Sequence, residues 1–365
     1  MQSIEKLKLM EVGERIKAVL SGRRPDRVPW TIYSMLLPRG KFEREMRDMG
    51  LGIVSGCSVC KSSAPNVRVE TRTEGDYVYA TYHTPVGKAS SVIRTGLKFQ
   101  SPGGSAIVEH LVKGIDDIKV LKFMIEDTVY EPDYENYGQL EDEIGSDGIV
   151  TSGIGYTPLM EIIINQMGFK TFATMLFRHP EAVEELVEVL GRKQTEALRI
   201  LADSPVEIVS LGDNIDGVFV SPHLFEKYLL PYYNEYSSLL KGKGKVVMSH
   251  MDGRLRVLKD LIAKTKLDVI EAFTPPPMGD LPLKDARSAW RDKVIWINFP
   301  EEILLRSADE IRNFTVHLLE EIAPGDGFII GITEDINPEH FRKGIRIVTE
   351  TIFKYGNLPI IPPLR

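Results

Sequence analysis

The spacing of apolar positions changes twice along this chain, and each change predicts a different kind of element. Residues 1–25 follow the amphipathic helical period and stop at Gly22 and Pro25. RVPWTIY (27–33) is rich in β-branched and aromatic residues and predicts a strand. Over 66–96 apolar and polar residues alternate, with turn chemistry at Glu74-Gly75-Asp76 and at Pro85-Val86-Gly87. That stretch predicts an antiparallel hairpin with one further strand. From about 115 to 145 helical spacing dominates.

A third rhythm begins near residue 148. Short apolar runs end on Gly or a polar group, and a long amphipathic helical pattern follows each one. The runs are GIVTSGIG (148–155), VEIVSLGDN (206–214), KVVMSHMDG (245–253), LDVIEAF (267–273), KVIWINF (293–299) and GFIIGITED (327–335). Near-continuous apolar strands alternating with helices predict a parallel sheet covered on both faces. With the strand at 27–33 and another near residue 51, the count reaches eight. The expected fold is α/β, a (β/α)8 TIM barrel formed as a single domain over 1–365, with an N-terminal antiparallel hairpin insertion at 66–96. No G-x-G-x-x-G follows a first strand, so a dinucleotide fold is not indicated.

Barrel enzymes place their chemistry at the C-terminal strand ends. Here those ends carry Tyr33, Tyr156, Asp213 with Asn214, His250 with Asp252, Glu271, Asn298, and Glu334 with Asp335. His250, Asp252, Glu271 and Glu334 are nitrogen and oxygen donors of the type zinc accepts, and a mixed His/carboxylate set is that of a catalytic site. Positions 250 and 252 share one face of an extended segment. The competing reading is a hydrogen-bonded His250–Asp252 pair with the glutamates in salt bridges. Asp213, Asn214 and Asp216 read either as a helix-capping network or as groups that orient substrate and handle a proton, with Tyr156 beside them. Trp30, Tyr33, Tyr82 and Phe273 can wall a pocket for a flat ligand, or pack in the core. Arg23, Arg24 and Arg27 read as a solvated loop, with anion binding as the alternative.

Composition narrows the classes further. The formal net charge of the 365-residue chain is -7, which argues against nucleic acid as the main ligand. No apolar run approaches a membrane span, and the acidic residues at the N-terminus are unlike a signal peptide. Cys57 and Cys60 are the only cysteines, a sparse use that fits a reducing cytoplasm. Their C-x-x-C spacing has no second pair to complete a zinc knuckle and no redox context.

GERIKAVLSGRRPDRVPW (13–30), TPVGK (84–88), Gly212-Asp213-Asn214 followed by SPHLFEKYLLPYYNE (221–235), and VVMSHMDG (246–253) together resemble the uroporphyrinogen decarboxylase-like superfamily. The resemblance covers nearly the whole chain and implies the same barrel. True uroporphyrinogen decarboxylases of the family carry an arginine-rich segment near the N-terminus that grips substrate carboxylates. YSMLLPRGKFE (33–43) stands in that region with Arg39 alone. The other branch contains corrinoid-dependent methyltransferases, which bind zinc through a His-x-Cys motif and a late cysteine. Those positions correspond here to His250-Met251-Asp252 and to Thr333-Glu334-Asp335-Ile336, so both cysteines are replaced by carboxylates. Harder oxygen ligands leave a metal more Lewis acidic toward an oxygen leaving group.

The resemblance therefore implies a zinc-dependent O-demethylase component of anaerobic one-carbon metabolism. It would take a methyl group from a methoxylated, aromatic donor to the Co(I) of a partner corrinoid protein. Asp213 and Tyr156 would be catalytic, and Trp30, Tyr33, Asn214, Phe273 and Asn298 would contact substrate. The alternatives are a metal-independent decarboxylase, a methylcorrinoid-to-thiol methyltransferase, and a barrel that binds without turnover. Monomer and homodimer both fit the sequence.

Overall fold

The computed structural model describes residues 9–97 and 104–364. Eight parallel strands close into a barrel: β1 (Trp30–Tyr33), β2 (Leu51–Gly56), β3 (Gly148–Gly153), β4 (Ile208–Leu211), β5 (Val246–His250), β6 (Val269–Phe273), β7 (Val294–Asn298) and β8 (Phe328–Ile332). They follow one another around the barrel in chain order, with β1 paired to β8. All eight strands expected from the apolar runs are present.

By packing, the chain separates into two compact units. The first comprises residues 1–55, 140–150 and 269–365. In it the barrel interior is filled by side chains, as in other parallel barrels. Trp296 donates its indole N–H to Thr31 Oγ1 at 3.1 Å. Gly331 makes room for that contact, since a Cβ there would lie 2.5 Å from Thr31 Oγ1 and 2.9 Å from the Trp296 nitrogen. Two capped helices pack on this unit. The helix Ala308–Glu321 opens with a reciprocal Ser307/Glu310 capping box, and Pro338–Tyr355 opens with Asn337 accepting from the Glu339 N–H at 3.0 Å. The N-terminal helix runs Val12–Leu20; residues 1–8 of the helix expected there lie outside the described residues.

The second unit comprises residues 56–139 and 151–268. Strands Arg68–Glu74, Tyr77–Thr84 and Gly87–Arg94 form the expected antiparallel hairpin and its extra strand, and Ala106–Glu109 adds a fourth. Gly75 takes φ +55° in the first two-residue turn, a value that favours glycine. Helices Ile115–Asp127 and Glu135–Ile144 meet the helical expectation over 115–145, with one interruption. The first gives way to a strand Val129–Pro132, which pairs with Cys60–Ser63. Val129, Tyr130 and the terminal Pro132 favour extended backbone over helix.

The helix expected over 222–240 is present but widens to a π turn at Phe225–Leu229, just before Pro231. Proline there has no N–H to donate, and the local widening accommodates it. A second π turn spans Ile162–Met167. No described helix is long and apolar enough to cross a membrane.

Candidate functional site

The strand exits of the second unit are tied by buried polar groups. Asp213 follows β4 and is fully buried. Its Oδ1 accepts from the Thr157 backbone N–H at 2.6 Å and from Thr157 Oγ1 at 2.9 Å. Its Oδ2 is buried with no hydrogen-bond partner among the described residues. Burial pushes the Asp213 carboxyl above its ordinary range, while the nearby Tyr233 hydroxyl and the Thr157 donors pull the other way without prevailing. Tyr233 is itself buried and accepts from Ser249 Oγ at 3.1 Å, one residue before His250.

The sign of the resulting pH dependence is fixed. A carboxyl whose folded value is raised contributes stability that is present below its unfolded value and is lost as pH rises through the folded one. Asp213→Asn is therefore expected to gain stability relative to wild type as pH rises from about 4 upward. Denaturant midpoints of the two proteins across that range check it; a constant difference contradicts it.

Tyr156 is half-buried. Burial and Glu161 raise its phenol above the usual value, His250 acts in the opposite sense, and Asp213 and Asp252 add to the rise. Asn214 stands exposed with φ +47°, its N–H donated to the Gly212 carbonyl at 2.7 Å. Asp216 has the structural role: Oδ1 accepts from the Val218 N–H at 2.7 Å, and Oδ2 accepts from the Arg254 N–H at 3.2 Å. A cleft of about 460 Å³ lies at the exit of β3, lined by Tyr130, Cys60, Glu161, Leu121 and Ile154 among others. Cys57 and Cys60 are free thiols, both pushed up by burial, which makes them poor nucleophiles.

In the first unit, β6 carries a register shift between Ile270 and Phe273, and Ala272 takes φ +59°. A non-glycine residue in that region is strained, and bulges of this kind re-aim side chains near strand ends. Glu271 on this bulge is buried and accepts from the Tyr33 hydroxyl at 2.7 Å. Asn298, at the end of β7, is fully buried. Its Nδ2 donates to Thr274 Oγ1 and to Glu301 Oε2, each at 3.3 Å, and its Oδ1 accepts from the Thr333 N–H at 3.1 Å. It thus ties the exits of β6, β7 and β8 directly before Glu334. Thr333 Oγ1 donates to Glu334 Oε1 at 3.4 Å.

Three of the four metal-type residues come together. His250, Asp252 and Glu334 each offer one ligand atom, and these atoms lie within 4.8 Å of one another. Glu271 is not in that group. His250 Nε2 and Asp252 Oδ2 are 3.8 Å apart, longer than a hydrogen bond. Two ligands of one tetrahedral zinc, with bonds of about 2.0–2.2 Å, stand roughly 3.3–3.6 Å apart. The donor types and the His–Asp spacing fit a small divalent cation with little movement.

Two aromatic residues expected on the pocket wall lie in the core. Trp30 is buried, donates to Thr349 Oγ1 of the 338–355 helix at 3.0 Å, and stacks edge-on with Phe299. Phe273 is buried edge-on against Trp290, with centroids 5.6 Å apart. Trp30→Ala is accordingly expected to cost about 3–5 kcal/mol in chemical denaturation. A loss under 1 kcal/mol contradicts the core role. Arg24 pairs with Asp326, and Arg27 donates twice to Asn357 Oδ1 while covering the Phe353 ring, so these arginines pin the chain ends. Thr157 and Tyr233 were not singled out from sequence. Thr157 stands in no quoted motif and Tyr233 lies within 221–235 without being marked out there; both take their roles from tertiary contact with Asp213.

Residues 93–355 match the model of the family described as uroporphyrinogen decarboxylase (URO-D). A uroporphyrinogen decarboxylase of Hydrogenovibrio crunogenus is 27% identical over 277 residues, covering 71% of this chain and 75% of that protein. One from Rickettsia massiliae is 23% identical over 252 residues, covering 67% and 70%. Among solved structures, a methyltransferase from Methanosarcina mazei superposes with a TM-score of 0.59 at 12% identity, over 94% of this chain and 98% of that one. At that identity the likeness is one of fold. With the family pattern spanning more than two thirds of its length, the chain belongs to the uroporphyrinogen decarboxylase (URO-D) family.

Proposed function

We propose that this chain is a methyltransferase, acting as one domain, that removes a methyl group from a methoxylated aromatic donor and passes it to the reduced cobalt of a corrinoid carried by a partner protein. The single observation carrying this reading is the cluster of His250, Asp252 and Glu334. One imidazole and two carboxylates would hold a divalent cation, zinc by ligand type. A cation so held supplies Lewis acidity toward a donor oxygen.

The chain's own groups divide the remaining work. Tyr156, kept protonated by burial, can donate a hydrogen bond to the donor oxygen and so steady the departing phenolate. Asp213 offers its unpaired Oδ2 as an acceptor in a dry setting. Asn214 and the hydrogen-bonded Tyr33–Glu271 pair would contact the donor. Asn298 holds the backbone ahead of Glu334.

Elemental analysis of protein purified without chelator or affinity metal tests the reading. About one zinc per chain in the wild type, absent from His250→Ala and Glu334→Ala, is expected. Metal-free wild type rejects it.

A second reading, a metal-independent decarboxylase, is favoured by the names of the curated relatives and by the raised carboxyl of Asp213. Against it, Arg39 is largely exposed and lies 3.5 Å from Glu143, a poor start for gripping a polycarboxylate. Release of CO2 that survives chelation and is lost in Asp213→Asn would select this reading.

A further inference from the structure

The inserted antiparallel sheet ends on a strand with an open edge. Arg68–Glu74 pairs with Tyr77–Thr84 on one side, and among the described residues no strand lies along the other. All seven of its residues are exposed. The two strands are joined by the two-residue turn Gly75-Asp76, which makes Glu74 and Tyr77 a hydrogen-bonded pair. Alternation from there turns the backbone N–H and C=O of Glu74, Arg72, Glu70 and Arg68 toward Tyr77–Thr84. The backbone groups of Val69, Thr71 and Thr73 therefore face outward, a template for another strand.

The side chains say which strand fits. The segment reads Arg-Val-Glu-Thr-Arg-Thr-Glu, with charges of alternating sign on one face and Val69, Thr71 and Thr73 on the other. Turned antiparallel against itself about Thr71, it sets Arg68 opposite Glu74, and Glu70 opposite Arg72, of the second copy. Thr71 then meets Thr71 of the second copy and Val69 meets Thr73, so every outward backbone group is paired. The charged positions fall on the non-hydrogen-bonded pairs, where side chains approach most closely. The register is selected as well. A slip of two residues in either direction, the smallest that keeps outward backbone groups facing each other, sets Glu against Glu and Arg against Arg. An edge that charge guards against self-pairing repels its copy in every register; this one attracts it in the register of greatest overlap. Within one chain these charges have only exposed neighbours: Arg68 pairs with Glu70, Arg72 pairs with Glu74 and covers the Tyr79 ring, and His83 lies 3.1 Å from Glu70. Exposed pairs of that kind are worth little and can be shared across a two-fold axis.

We infer that the chain forms a two-fold dimer in which Arg68–Glu74 pairs antiparallel with the same strand of a second copy, joining the two four-stranded sheets into one. The contact is isologous and closed, so assembly stops at two. It uses no residue of the candidate site and does not depend on the methyl-transfer reading.

Sedimentation equilibrium of the full chain, up to roughly 100 μM, is the test. Wild type is expected to associate to a dimer. Glu70→Arg and Arg72→Glu each place like charges across the axis and should weaken the dimer at least about tenfold. The double variant Glu70→Arg/Arg72→Glu sets opposite charges facing again and should recover most of the loss. Thr71→Pro removes the central outward N–H, which an edge strand tolerates, and should leave a folded monomer with a denaturation midpoint near wild type. In a Cys57→Ser/Cys60→Ser background, a short thiol crosslinker should join Thr71→Cys chains in pairs. It should not join Val69→Cys chains, whose thiols stand roughly 13 Å apart in this register. A monomeric wild type overturns the inference. So do a dimer that Arg72→Glu leaves intact, a double variant as weak as either single one, and crosslinking at Val69→Cys but not at Thr71→Cys. Open-ended oligomers larger than two overturn it as well, because a closed two-fold contact cannot build them.

Discussion

His250→Ala is expected to abolish methyl transfer and to weaken zinc binding by more than the roughly 10–100-fold that follows loss of a mere supporting partner. The reasoning is geometric. His250 supplies the only nitrogen of the cluster, and its Nε2 stands 3.8 Å from Asp252 Oδ2, a spacing suited to two ligands of one ion. Without it two carboxylates remain, and neutral imidazole is the better zinc donor. Competition against a chromogenic chelator measures the affinity change. Because His250 ends β5 at the rim, the fold should survive, with denaturation midpoints close to wild type in metal-free buffer. A variant that binds zinc as tightly as wild type contradicts the assignment.

Asn298→Leu is expected to damage both stability and metal affinity. The substitution leaves the Thr333 N–H without its acceptor and removes a donor from Thr274 and Glu301 in a buried setting. A buried group left unsatisfied costs about 1–3 kcal/mol. The tie also fixes the backbone immediately before Glu334, so zinc affinity should fall roughly 10–100-fold, as for other outer-shell losses at metal sites. Asn298→Asp retains the acceptor for Thr333 but opposes Glu301, and should recover part of the metal affinity at lower stability. Loss of stability with unchanged zinc affinity would show that Asn298 holds the barrel and not the ligand.

Much of the barrel is legible in the chain because parallel strands covered on both faces must be apolar at nearly every position. VVMSH and VIWIN have no other economical reading. The hairpin is legible through its period of two and its Gly75 turn. The strand Val129–Pro132 is hidden because its pairing with Cys60–Ser63 is set by tertiary contact and not by its own pattern. The two π turns leave no periodic signature either.

At the site, His250, Asp252 and Glu334 are legible as polar ends of apolar runs. Glu271 reads the same way in sequence, yet it sits on the β6 bulge and is engaged by Tyr33. Trp30 and Phe273 are at the right strands but turn into packing, a matter of side-chain direction that composition does not encode. Asp213 was legible, whereas its buried partners Thr157 and Tyr233 were not, because they are neighbours only in the fold.

The most direct test of the central claim is anaerobic methyl transfer from a methoxylated aromatic compound to free cob(I)alamin. It is followed by loss of the Co(I) absorbance, first on chelator-treated protein and then after zinc is restored. The account predicts no transfer by the stripped protein, recovery on adding zinc, and no recovery in His250→Ala or Glu334→Ala. Transfer at the same rate with and without metal would contradict it.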